Sequence, residues 1–160
     1  MGMTGIEAVI RAFIDLLQNG MAAALAALEA EYADGVLLPA PAADAYFWYE
    51  PPLQPSYPSI LVTPLPEATG VKDLAAGYDF DFAVQVDVLV PADDPAASEV
   101  LLWRYWRAVK EVLTPNNVIA GADVTLHGVN WNEPKITPLG FNGPIRDIPG
   151  LFTVSTTERA

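Results

Sequence analysis

Tyr78-Asp79-Phe80-Asp81-Phe82-Ala83-Val84-Gln85-Val86-Asp87-Val88-Leu89-Val90 is the stretch from which the fold can be read. Tyr78, Phe80, Phe82, Val84, Val86, Val88 and Val90 alternate without a break, and Asp79, Asp81, Gln85 and Asp87 fall between them. Period two in an extended chain sends the first set to one sheet face and the acidic set to the other. A strand divided in this way is half buried and belongs in an antiparallel sheet with one wet side.

Downstream, Asp94-Pro95 is a helix start, with Asp as N-cap and Pro at the first helical position. The helix runs to about Leu113, where Thr114-Pro115 ends it. Leu101, Leu102, Tyr105, Trp106, Val109, Val112 and Leu113 form its apolar face, and Arg104, Arg107 and Lys110 lie off that stripe. Strands follow within 118–129 and 150–157. Between them, prolines 134, 138, 144 and 149 with Gly140 and Gly143 predict a long loop or loose hairpin over 130–149.

Upstream, 39–66 carries eight of the fifteen prolines, which excludes a helix or a central strand there. Within it, Tyr46-Phe47-Trp48-Tyr49 reads as an aromatic arm, lying on its own domain or on a partner, and Ser59-Ile60-Leu61-Val62-Thr63 as a short strand. Thr4-Gly5-Ile6-Glu7 is a capping box. Ile6, Val9, Ile10, Phe13, Leu16 and Leu17 then recur at helical spacing, with Asn19-Gly20 as a plausible stop. A second alanine-rich helix spans about Met21–Tyr32, closed by Asp34-Gly35; one kinked helix through Gly20 is the alternative.

The fold class is therefore α+β: a mainly antiparallel sheet with helices packed on one face and a proline-rich arm near the N-terminal third. One domain covers 1–160, with a helical region at 4–34, the arm at 39–66 and the sheet at 58–160, including the helix at 95–113. The 52% hydrophobic content excludes intrinsic disorder. Twenty acidic against eight basic residues give −12, a field that repels nucleic-acid backbones and anionic membranes. Without cysteine there is no disulfide framework, thiolate metal site or cysteine nucleophile. The N-terminal residues lack a signal-peptide pattern, and Met21–Leu28 is too short to span a bilayer, so a cytoplasmic origin is expected.

Chemistry-bearing patterns are sparse. His127 is the only histidine, too few for a serine-type triad or a two-histidine metal site. Asp79 and Asp81 stand about 7 Å apart along one strand face, and paired carboxylates can hold Mg²⁺ or act as acid and base. Their continuation into Gln85 and Asp87 reads instead as a solvated sheet face. Asp93-Asp94 fits helix capping, and no glycine-rich phosphate loop occurs. Arg104, Arg107 and Lys110, beside Trp103 and Trp106, read as a salt-bridged helix face or as a cationic stripe that pairs between subunits. No catalytic, cofactor-binding or metal-binding residue is assigned.

The layout resembles the tail-terminator (tail-completion) proteins of long-tailed bacteriophages. The resemblance rests on order: the helices Ile6–Leu17 and Met21–Tyr32, and the proline-rich lead into Pro58-Ser59-Ile60-Leu61-Val62. Gly77 to Val86 follows as the strand, then the helix with Leu102-Trp103-Arg104-Tyr105-Trp106-Arg107-Ala108-Val109. Leu151-Phe152-Thr153-Val154 closes the chain. It implies a homo-oligomeric ring, usually a hexamer, that caps the head-proximal end of the tail tube. The ring would contact the tail tube protein and a head or neck connector protein. It would reside in the virion after assembly in the host cytoplasm, and DNA would pass through without specific binding. Asp79, Asp81 and Asp87 become candidates for an acidic lumen or interface face. Arg104, Arg107 and Lys110, with the arm Tyr46, Phe47, Trp48 and Tyr49, become candidates for subunit contacts. Two alternatives are a neck or head-closure connector, and a small metal-dependent enzyme using Asp79 and Asp81 with His127.

Overall fold

A computed structural model describes residues 6–48, 56–74, 77–91, 93–114, 118–119, 124–131, 135–138 and 144–159. Helix α1 (Ile6–Tyr32) is followed by β1 (Tyr46–Phe47), β2 (Ser59–Leu74), β3 (Gly77–Pro91) and α2 (Pro95–Leu113). Strands β4 (Val118–Ile119), β5 (Val124–Trp131), β6 (Lys135–Pro138) and β7 (Pro144–Arg159) complete the order. The capping box at Thr4 and Gly5 lies outside the described residues.

The alternating stretch forms β3, and its partner is β7. Their antiparallel ladder runs without a register shift from Gly77↔Arg159 to Pro91↔Ile145. Around this spine the sheet orders as β1-β2-β3-β7-β5-β4, with β6 also on β7. Among the described residues only β1–β2 is parallel. β5 and β6 occupy the same flank of β7 in succession, and within 130–149 the antiparallel pairing of β6 with the start of β7 is the loose hairpin rather than the long loop. β2 is also longer than the five residues expected, continuing through Pro64 and Pro66.

Period two holds where the helices cover the spine. Val84, Val86, Val88 and Val90 are buried, together with Ile60 and Val62 of β2 and Ile148 and Phe152 of β7. The apolar stripes of both helices close over them: Val9, Phe13, Leu17, Met21, Leu25 and Leu28 from α1, and Leu102, Tyr105, Trp106, Val109 and Leu113 from α2. Phe13 meets Phe152 edge-on at 5.7 Å, and Trp106 stacks on the other side of Phe152 at 6.3 Å. Trp106 is fully buried, and its Nε1–H donates to the Ile148 carbonyl.

α1 is one helix of 27 residues, not two. Gly20, a possible stop by sequence, lies mid-helix where α1 meets α2. A Cβ there would stand 2.8 Å from Val112 Cγ1, so the residue serves close approach rather than termination. By length and composition alone, Val9–Tyr32 is apolar enough to cross a membrane. In the fold its apolar stripe faces the core, while Arg11, Asp15, Gln18 and Asn19 on its other side are exposed. The start of α2 follows the sequence reading: Asp94 Oδ1 accepts the Ala96 and Ala97 amides at 3.1 and 3.2 Å, and Pro95 opens the helix.

Candidate assembly surfaces

The end of α1 is built to receive α2. The Ala33 amide donates to the Glu29 carbonyl at 3.0 Å, and the chain then turns through positive φ at Ala33 (49°) and Gly35 (79°). Asp34 Oδ1 accepts the Val36 amide at 3.2 Å, an Asx turn that fixes the carboxylate. Arg104 Nη1 donates to the same oxygen at 3.0 Å, and Nη2 pairs with Oδ2. The Arg104 guanidinium, 10% exposed, stacks 3.9 Å from the Tyr32 ring centroid. Its hydrogen bond, helped by the Val36 amide, lowers the Asp34 pKa from 3.8 to about 2.

One turn along α2, Arg107 donates from Nη1 and Nη2 to the two Glu31 oxygens at 2.9 and 2.8 Å. It also reaches the Tyr32 hydroxyl at 3.2 Å and Glu111 at 3.1 Å. Lys110 is exposed and borders a shallow cleft with Arg107, Glu111 and Thr114. The three cations expected on a subunit contact are therefore placed differently. Arg104 is committed inside its own subunit, Arg107 is paired but partly exposed, and Lys110 faces outward. No sequence spacing links Arg104 to Asp34, 70 residues away, so the acidic partners Glu31 and Asp34 were not legible.

The aromatic arm divides in the same way. Tyr46 and Phe47 form β1 and lie beside Ile60 and Leu61 of β2. Phe47 is buried, and burial pushes the half-buried Tyr46 hydroxyl up to about 12. The arm thus packs on its own sheet at these two residues. Trp48 remains 47% exposed, at a cleft of about 340 Å³ bounded by Arg11, Ile14, Asp15, Tyr46 and Trp48. Tyr49 lies outside the described residues.

The acidic strand face needs a correction. Asp87, expected on a solvated face, is only 5% exposed, and the Gln85 amide donates to both its oxygens at 3.0 Å. Leu89 and Ser59 on the same side of the sheet are buried as well, so around these positions the second face is covered rather than wet. Asp79 and Asp81 stand in β3 at the register positions of Thr157 and Ser155; their side chains lie outside the described residues. His127 falls at the register irregularity of β5 between Leu126 and Gly128. Among the described residues no cluster of three or more His, Cys, Asp or Glu side chains is placed to hold a metal.

What the described surface offers is contact. Tyr32, Leu37, Trp48, Val100 and Trp103 are exposed large apolar side chains. Val100 and Trp103 stand one turn before Arg104 and Arg107, the two cations that hold Tyr32. The Trp103 indole donates to Glu99 at 2.9 Å, which ties the ring to the helix surface. Aromatic side chains beside arginine are the composition of contact hot spots.

No family model and no curated protein matches this sequence. Among solved structures, the chain is similar to one from the virion of a native gene transfer agent (GTA) particle. The two share 20% identity over 88% of this chain and 94% of that chain, with a TM-score of 0.42.

Proposed function

We propose that this chain is a structural protein of a phage-like virion, a tail terminator whose copies form a ring on the head-proximal end of the tail tube. The observation that carries the reading is the order of elements. A long N-terminal helix, a proline-rich passage, a long strand, a tryptophan- and arginine-bearing helix and a closing strand follow one another in the chain. That is the order on which the resemblance to tail terminators rests, with one continuous helix in place of the expected N-terminal pair. The exposed side chains Tyr32, Val100 and Trp103, with Arg107 and Lys110 on α2, supply surface for neighbouring copies. Trp48 supplies a second. The −12 charge suits a ring through which DNA passes without adhering. Asp87, buried within the subunit, gives the wall of that ring no exposed carboxylate.

Native mass spectrometry over a concentration series, with negative-stain imaging of the same samples, tests the ring. Closed rings of a single size are the expected result. A chain that remains monomeric both alone and in the presence of tail tubes overturns the reading. Deleting the gene in its virus tests the position: loss of a terminator gives overlong tails. Filled heads leaking DNA beside tails of normal length would assign the chain to the neck instead.

A further inference from the structure

Beyond assembly by these surfaces, we propose that Pro64 closes the β2 edge of the sheet against strand addition by a second copy of this chain. β2 runs from Ser59 to Leu74, but the strand outside it, β1, has only two residues. Among the described residues nothing else pairs along that side of β2, and a long strand with so short a partner is a template on which another chain can pair.

The backbone shows which residues of β2 address that edge. The Ile60 amide donates outward, away from β3, to the Ala45 carbonyl at 2.9 Å. Amides alternate sides along a strand, so Val62 and position 64 also face outward, ahead of the register shift that follows Leu65. β1 occupies the edge at Ile60 and Leu61, and the Val62 amide comes next, beyond the Phe47–Leu61 pair. At the following outward position the chain carries Pro64, which has no amide hydrogen.

Proline at an inward position would remove a ladder bond to β3. At 64 it removes none, which is why β2 continues through it, paired with Val84. The exposed ring therefore leaves the fold intact and acts only against an incoming strand. Copies of the chain are then left to meet through their side-chain surfaces rather than by continuing the sheet past β2.

The test is the full chain carrying Pro64→Thr, examined by sedimentation velocity over a concentration series and by hydrogen exchange. The expected result is species larger than those of the wild type, with association strengthened about tenfold or more. The amide introduced at position 64 should exchange slowly only in the associated fraction. A folded variant that sediments like the wild type overturns the proposal, and so does association in which that amide exchanges freely. Pro64→Ala repeats the test without β-branching should Pro64→Thr fail to fold. Failure of both to fold overturns the claim that the fold is indifferent to this ring. The comparison is separable from ring assembly: a wild-type chain that never forms rings still gives a Pro64 result.

Discussion

Helix α2 is held on two flanks by different means. Against the sheet it is held by shape: Trp106 brings the outer edge of its ring against Gly150, stacks on Phe152 and hydrogen-bonds the Ile148 carbonyl. Against the end of α1 it is held by charge, through Arg104–Asp34 and Arg107–Glu31 with the Tyr32 ring between the two guanidinium groups. The sheet flank is dry, and its contacts depend on volume. The α1 flank is partly wet, and its contacts depend on protonation and are screened by solvent. Volume changes should therefore damage the first flank heavily, and pH should reach only the second.

The largest effect is expected at Trp106. Trp106→Ala removes the largest fully buried side chain among the described residues and should cost about 3–5 kcal/mol, read as a loss of denaturation midpoint in urea. Such a loss would unfold a marginal domain outright, so Trp106→Phe is the milder companion. A Trp106→Ala protein within about 1 kcal/mol of wild type would mean that the flank is not held by packing.

Gly150→Ala attacks the same contact from the sheet. A Cβ at 150 would lie 2.1 Å from Trp106 Cη2, inside any tolerable contact, so the ring or the strand must move. The cost expected is about 1–3 kcal/mol. It should shrink in a Trp106→Phe background, where the smaller ring leaves room. Equal costs in the two backgrounds would show that Gly150 is needed for its backbone freedom instead.

The contrast between flanks also separates what was legible in the sequence from what was not. The β3 alternation and the Asp94-Pro95 start are local patterns, and local geometry alone decides them. The helix through Gly20 was ambiguous because a glycine that ends a helix and one that admits a neighbouring helix look alike in sequence; only Val112 distinguishes them. The strand expected over Ser59–Thr63 continues through Pro64, because whether that missing donor matters depends on which side β3 lies. Asp87 read as solvated because alternation gives the face of a side chain, not what covers that face. Arg104 left two readings open, a salt-bridged face or a subunit contact, because its carboxylate is set by the α1–α2 packing and by no spacing.

On the charged flank the pH prediction has a definite sign. Asp34 titrates at about 2 in the folded chain against an ordinary 3.8, so the folded state binds its proton more weakly than the unfolded state. The stabilisation is fully present above about pH 4 and is lost as pH falls towards 2. Asp34→Asn should lower the melting temperature at pH 7 and reduce the fall between pH 4 and pH 2 relative to wild type. Parallel curves for the two proteins would remove the Arg104–Asp34 pair from the account of this flank.

The smallest expected effect lies at the turn that delivers Asp34. Ala33 holds φ at 49°, where a Cβ crowds the neighbouring carbonyl and glycine is the usual occupant at a helix end. Ala33→Gly relieves that crowding but loosens the unfolded chain, so the two terms oppose each other. Because Ala33 is exposed and adds no packing, relief should prevail by about 0.5–1 kcal/mol, seen as a small rise in melting temperature. The pH profile sharpens the comparison further. If the turn serves only to seat the carboxylate, Ala33→Gly raises the whole stability curve and leaves its fall between pH 4 and pH 2 unchanged. A steeper or shallower fall would mean that the turn and the ion pair form one unit, with the strained alanine setting how well Asp34 meets Arg104.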